Sequence, residues 1–223
     1  MNFSIFILFR YVVMLNKKEL EIILSKLKEI ETPSVELEQY TIPSDLAAEI
    51  LNLAYLSGDI KNKVVLDLGC GSGRLMIGAV LLDAKKVIGV DVDKKVIEIA
   101  KKNIKNAEGL TSIKIQGKTE LFYMDISEWE GRVDTIIQNP PFGIQKLHAD
   151  RIFLKKALEC AEKIYSLHRH YEKSRQFLTK LIEKNGGKVE KVIKFKFRIP
   201  YMFKFHKKPY VKYEVDLFII SRV

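Results

Sequence analysis

"KVVLDLGCGSGRLMIGA", Lys63 to Ala79, is the stretch on which the fold turns. Val64, Val65, Leu66 and Leu68 read as a buried strand, which glycines at 69, 71 and 73 then bring to a turn. Glycine is needed where a backbone turns tightly and must let a ligand approach without Cβ interference. The "GRLMIGAVLLDA" that follows reads as a helix. A strand thus passes through an open turn into a helix.

The alternation continues outward. "KVIGVDVD" is a second strand, "KKVIEIAKKNIKNAEG" a helix closed by Gly109, "ELFYMDI" a third strand and "VDTIIQN" a fourth. "DRIFLKKALECAEK" is helical, "IYSLHR" a short strand, and "EKSRQFLTKLIEKNGG" a helix stopped by two glycines. "KVEKVIKFKFRIP" and "YVKYEVDLFIISRV" alternate as a closing hairpin. Upstream, Glu19 to Ile30 has one apolar helical face, and "DLAAEILNLAYLSG" is a helix capped by Ser44 or Asp45 and ended at Gly58. Strand–helix alternation predicts an α/β fold, a mostly parallel sheet with helices on both faces. Residues 14–223 form a single domain, with N-terminal helices over 14–58 and the α/β core over 59–223. Residues 1–13, ahead of Met14, read as an upstream extension. That apolar opening is shorter than the roughly 20 residues of a membrane span.

The chain has 223 residues, 47% hydrophobic and 30% charged, with a formal net charge of +10. That excess favours a polyanionic partner, nucleic acid first. Two cysteines and four histidines give neither zinc spacing nor a disulfide framework. The expected compartment is therefore a reducing cytoplasm, with no metal and no membrane partner.

The glycine turn departs from the dinucleotide pattern G-x-G-x-x-G, because Arg74 and Met76 stand where the last glycine belongs. Asp91, closing the second strand, can accept both hydroxyls of a ribose. Asp125 or its neighbouring amide can bond an adenine amine, while Ile126 covers a ring face. Together they fit a nucleoside ligand without phosphates, S-adenosylmethionine. Glycine-rich turns also occur in sheets that bind nothing, so the three features count only as a set.

"NPPF", Asn139 to Phe142, ends the fourth strand. Proline cannot donate to a sheet ladder and restrains its neighbour, so Pro140 and Pro141 make a stiff exit. Here the chain resembles the class I methyltransferases that act on planar amino nitrogens. That implies a Rossmann-like fold of seven strands, mostly parallel, with an antiparallel C-terminal strand. An exocyclic adenine nitrogen is a poor nucleophile because its lone pair is shared with the ring. Asn139 and the Pro140 carbonyl, each accepting one amino hydrogen, would let that nitrogen pyramidalise toward a methyl donor. Phe142 offers a face to a base swung out of its stack.

"LEQYTIPSDLAA", "DLGCGSGRLMIGA", "NPPFG", "FLKKALECAEKIYSLH", "FKFHKK" and "EVDL" narrow the likeness. In that order they resemble the methyltransferase-like-five family of ribosomal RNA adenine-N6 methyltransferases, as an archaeal-type member. The resemblance implies a cofactor pocket closed by Gln39 and lined by Ile42, Asp67, Gly69, Gly71, Ser72, Gly73 and Arg74. Asp91, Val92, Asp125 and Ile126 complete it. The family's threonine falls on Ile42 here, so a hydroxyl contact is lost. Eukaryotic members methylate small-subunit ribosomal RNA and pair with a small zinc-binding activator, which implies such a partner on the third-strand edge. Lys146, Lys204, Phe205, His206, Lys207 and Lys208 are expected to contact RNA, cations on phosphates and rings on unpaired bases. A protein glutamine N5-methyltransferase is the alternative enzyme, and an RNA-binding module with an idle fold the alternative of another class. The charge and Phe142 count against the first, the intact Asp91 and Asn139–Phe142 against the second.

Overall fold

A computed structural model describes residues 15–143, 149–200 and 210–223. The extension at 1–13 and the expected RNA contacts Lys146, Lys204, Phe205, His206, Lys207 and Lys208 lie outside the described residues. Seven strands make one sheet: β1 (Val64–Leu68), β2 (Lys86–Asp91), β3 (Thr119–Tyr123), β4 (Val133–Gln138), β5 (Ala161–Arg169), β6 (Gly187–Pro200) and β7 (Tyr210–Arg222). Their order is β3-β2-β1-β4-β5-β7-β6. The first five are parallel, and β7 runs antiparallel between β5 and β6. This is the Rossmann-like sheet of class I methyltransferases.

The helices are α1 (Lys17–Ser25), α2 (Ser44–Leu56), α3 (Arg74–Leu81), α4 (Lys94–Thr111), α5 (Ala149–Cys160) and α6 (Glu172–Lys184). Strand alternation sorts the core. Val65, Val87, Ile137 and Tyr165 face the apolar stripes of α1 to α4, and Leu66, Ile88, Ile136 and Ile164 face α5 and α6. No helix among the described residues is long and apolar enough to cross a membrane.

Several boundaries differ from expectation. The first helix ends at Ser25, although Leu27 and Ile30 remain buried beyond it. Asn16 starts it with a capping box, accepting from the Lys18 and Glu19 amides while Glu19 reaches back to its own. Ser44 and Asp45 lie inside α2 rather than capping it, because Pro43 takes the cap position. Gly109 does not close α4. The helix continues to Thr111, and Ser112 takes the left-handed turn at φ 58°. β5 begins at Ala161, earlier than expected, because Ala161 already pairs with Val133 on β4.

One fully buried side chain ties the N-terminal segment to the glycine turn. Asn103 on α4 accepts from the Lys28 amide (2.8 Å) and donates to the carbonyls of Lys28 (2.9 Å) and Ser72 (2.8 Å). Ile30, just beyond Lys28, lines the same turn, 4.0 Å from where a Cβ on Gly71 would stand.

Candidate active site

At the carboxyl ends of β1, β2 and β4 lies a cavity of about 450 Å³. Open parallel sheets place their ligands at this end. Of the cofactor residues expected from sequence, Gln39, Ile42, Asp67, Gly69, Gly71, Ser72, Arg74, Asp91, Val92, Asp125 and Ile126 all line it. Gly73 does not; at φ 82° it is the N-cap of α3 and turns the chain into that helix. Asn139 and Pro141 reach the cavity. Pro140 is buried, and Phe142 packs toward Leu167 and Val215 beside a smaller cavity instead.

The glycine turn is held by the acid across from it. Asp91 accepts from the amides of Gly71 (2.9 Å) and Asp93 (2.9 Å), which fixes its carboxylate at the end of β2. Gly69 stands at φ 70°, and a Cβ there would come within 2.9 Å of the Phe153 ring on α5. Helix α5 therefore forms a wall of the cavity through Phe153 and Ile152.

Asp67 is buried behind the turn, where one oxygen accepts from the Met76 amide at 3.2 Å and the other has no protein partner. Burial pushes its carboxyl up to about 8, an effect the Met76 bond opposes and the charge of Asp91 reinforces. Burial also raises Asp91, against the amides of Asp93 and Gly71. The Thr41 hydroxyl is likewise buried without a partner and lines the cavity. Buried polar atoms of this kind are costly unless something binds them.

The segment from Leu37 to Pro43 connects the parts. Gln39 donates to Asp93 (2.9 Å) and accepts from the Ser34 amide (2.7 Å). Arg74, only 3% exposed, donates to the Ile42 carbonyl and to Glu29 (3.2 Å). Its guanidinium is thus engaged in holding the loop over the turn. Asn139 donates to the Tyr40 carbonyl at 3.4 Å, and its own carbonyl accepts from no group among the described residues. Asp125 caps a 3-10 turn at Ile126–Glu128, accepting from the Ser127 amide (2.8 Å) and hydroxyl (2.7 Å). Sequence reasoning missed Tyr40, Thr41 and Phe153. A tyrosine whose backbone does the work and a ring brought in from a distant helix leave no local signal.

Behind the corner, Gln138 donates to the Ser166 hydroxyl (2.8 Å), and Ser166 lies 2.8 Å from His168 Nε2. The other ring nitrogen of His168, Nδ1, lies 3.7 Å from Asp150. Serine, histidine and aspartate in a row suggest a nucleophile, but Ser166 is fully buried and does not line the cavity, so the string braces β4 against β5. Among the described residues no cluster could hold a metal ion.

The arrangement suits S-adenosylmethionine. The turn has glycines at 69, 71 and 73, the Asp91 carboxylate is fixed on the cavity wall at the end of β2, and buried polar atoms of Asp67 and Thr41 have no protein partner. Comparison with known proteins agrees. Residues 49–140 match the family model of ribosomal protein L11 methyltransferase (PrmA). The chain is 42% identical to the uncharacterized protein MJ0284 of Methanocaldococcus jannaschii, over 94% of this chain and 96% of that one. It is 34% identical to the rRNA N(6)-adenosine-methyltransferase METTL5 of Danio rerio, over 89% and 95%. A crystal structure of a candidate RNA methyltransferase, PH1948 from Pyrococcus horikoshii, superposes with a TM-score of 0.84 at 45% identity, over 94% and 99%.

Proposed function

The chain belongs to the METTL5 family of class I, S-adenosylmethionine-dependent methyltransferases, and we propose that it methylates N6 of adenosine in RNA, small-subunit ribosomal RNA foremost. The observation that carries this reading is the Asn139 corner. Asn139 lines the cavity that also holds Asp91 and Asp67, and its amide nitrogen donates one hydrogen to the Tyr40 carbonyl at 3.4 Å.

Bound in that cavity, S-adenosylmethionine supplies an electrophilic methyl carbon, whose bond to sulfur breaks as the bond to nitrogen forms. Asp91 would hold the ribose hydroxyls, and Asp67 would face the ligand's cationic groups. The Asn139 carbonyl and the Pro140 carbonyl would each accept an amino hydrogen of the adenine, directing its lone pair into the cavity. These acceptors sit on a proline-stiffened strand end and need no rearrangement, so positioning and fixed dipoles supply most of the catalysis. No strong base is required, because the alkylated nitrogen is acidic enough to release its proton to water.

The test is incubation with labelled cofactor, separately with ribosomal subunits, naked RNA and release-factor protein, followed by digestion. Label in N6-methyladenosine supports the proposal. Label in glutamine would replace it with the protein methyltransferase reading, and no label with an idle binding module.

A partner for the β3 edge is part of the same proposal. Among the described residues strand β3 pairs only with β2, and Phe122 and Tyr123 are 38% and 62% exposed along it. Such an edge suits strand addition by a small activator protein. A fully active monomer on gel filtration would argue against that partner.

A further inference from the structure

The carboxyl ends of β4 and β5 carry a second feature, beside the Asn139 corner. Arg169 ends β5 and its guanidinium lies over the ring of Tyr171 at 4.7 Å. Arg151, in the first turn of α5, lies over the ring of Phe177 on α6 at 4.0 Å. Both rings are open to solvent, Tyr171 at 52% and Phe177 at 41%. Tyr171 is the N-cap of α6, so both arginines belong to the sheet end from which β4 delivers Asn139.

The charge at this end is not spent internally. Arg175 is paired with the buried Asp216, whereas neither Arg151 nor Arg169 has an acidic partner among the described residues. Of the acids in the first turns of α5 and α6, Asp150 approaches His168 and is only 18% exposed, which leaves Glu172. Two helix N-termini add their positive ends.

A guanidinium over a ring keeps its N–H edges, and the face away from the ring, for other partners, and both arginines are half-buried rather than fully covered. The edges match phosphate oxygens two at a time, and the outer face can take an unpaired base. A duplex presents its phosphates but hides its base faces, so the combination fits a single strand. We propose that the Arg151–Phe177 and Arg169–Tyr171 stacks form a docking surface for single-stranded RNA, gripping nucleotides that flank the target adenosine. This rests on the RNA reading above.

The experiment is salt-dependent binding of a 20-nucleotide single-stranded RNA and of its duplex to the full chain, by fluorescence anisotropy. Single strands contribute a slope of about 0.7 per neutralised phosphate. The Arg151→Gln/Arg169→Gln variant is expected to lose tenfold or more in single-strand affinity, with a salt slope shallower by about 1.4. Affinity for S-adenosylmethionine should stay unchanged. The charge-matched Lys184→Gln/Lys188→Gln variant, altered at the opposite end of the sheet, should lose less than threefold. Equal losses in the two variants, or an unchanged slope in the first, would overturn the docking surface while leaving the RNA reading intact. Duplex binding as tight as single-strand binding would also overturn it. Failure of the unaltered protein to bind either RNA, with tight binding of release-factor protein instead, would sink the RNA reading and the surface with it.

Discussion

The amide nitrogen of Asn139 lies 3.4 Å from the backbone carbonyl of Tyr40, a residue that precedes the whole sheet in the chain. The bond is long, but it engages the donor end of the amide and leaves the carbonyl oxygen able to accept. An asparagine free to rotate would offer donor and acceptor alternately, and only the acceptor can hold an amino hydrogen.

Asn139→Ala should therefore keep cofactor affinity and lose at least about tenfold in turnover, on the order of one transition-state hydrogen bond. Calorimetric binding and single-turnover methylation separate the two quantities. Unaltered turnover would remove Asn139 from the chemistry.

Asp67 gives the protein a pH dependence with a defined sign. Its folded-state value of about 8 lies above the ordinary 3.8, so its stabilisation is complete below pH 3.8 and lost as pH rises through 8. A cationic ligand reverses the preference by favouring the carboxylate. Cofactor affinity should rise as pH approaches 8 from below, by at most about tenfold per pH unit, then level off. Asp67→Asn should flatten that profile when it is followed by calorimetry.

Gly69→Ala should harm stability and cofactor binding together. The new methyl must occupy a left-handed backbone position and displace the Phe153 ring. A loss of roughly 1–3 kcal/mol is expected in denaturant melts. Cofactor affinity should fall with it, because Phe153 lines the cavity.

Asn103→Leu should cost stability without touching the chemistry. It would strand the Lys28 amide and two carbonyls in the interior, for roughly 2–4 kcal/mol. Unfolding midpoints measure the loss, while turnover of the folded fraction should match that of the parent.

Arg74→Met tests whether that side chain holds a loop or a ligand. Losing the bonds to Ile42 and Glu29 should loosen the Leu37–Pro43 segment. Proteolysis within that segment should quicken, and cofactor affinity should fall about tenfold, as for one charge-assisted hydrogen bond. Protection equal to the parent's would leave Arg74 as a cofactor contact alone.

Element order, the glycine turn, Asp91 and the Asn139 corner were all legible in the sequence, because each is written locally. An apolar run of period two makes a strand, glycine opens a turn, and two prolines stop a ladder wherever they stand. Boundaries were less legible where neighbours decide them. Ala161 to Lys163 look helical alone, but β4 supplies them with pairing partners.

What tertiary structure alone decided is convergence. Tyr40 reaching Asn139, Phe153 closing over Gly69, Arg74 bracing Ile42, and two arginines lying on rings of a neighbouring turn or helix all depend on how helices pack across the sheet. A sequence fixes what each segment can offer, through properties carried by adjacent residues. Which offers meet is set by packing, since close contact between distant segments follows from shared burial and leaves no period in the chain.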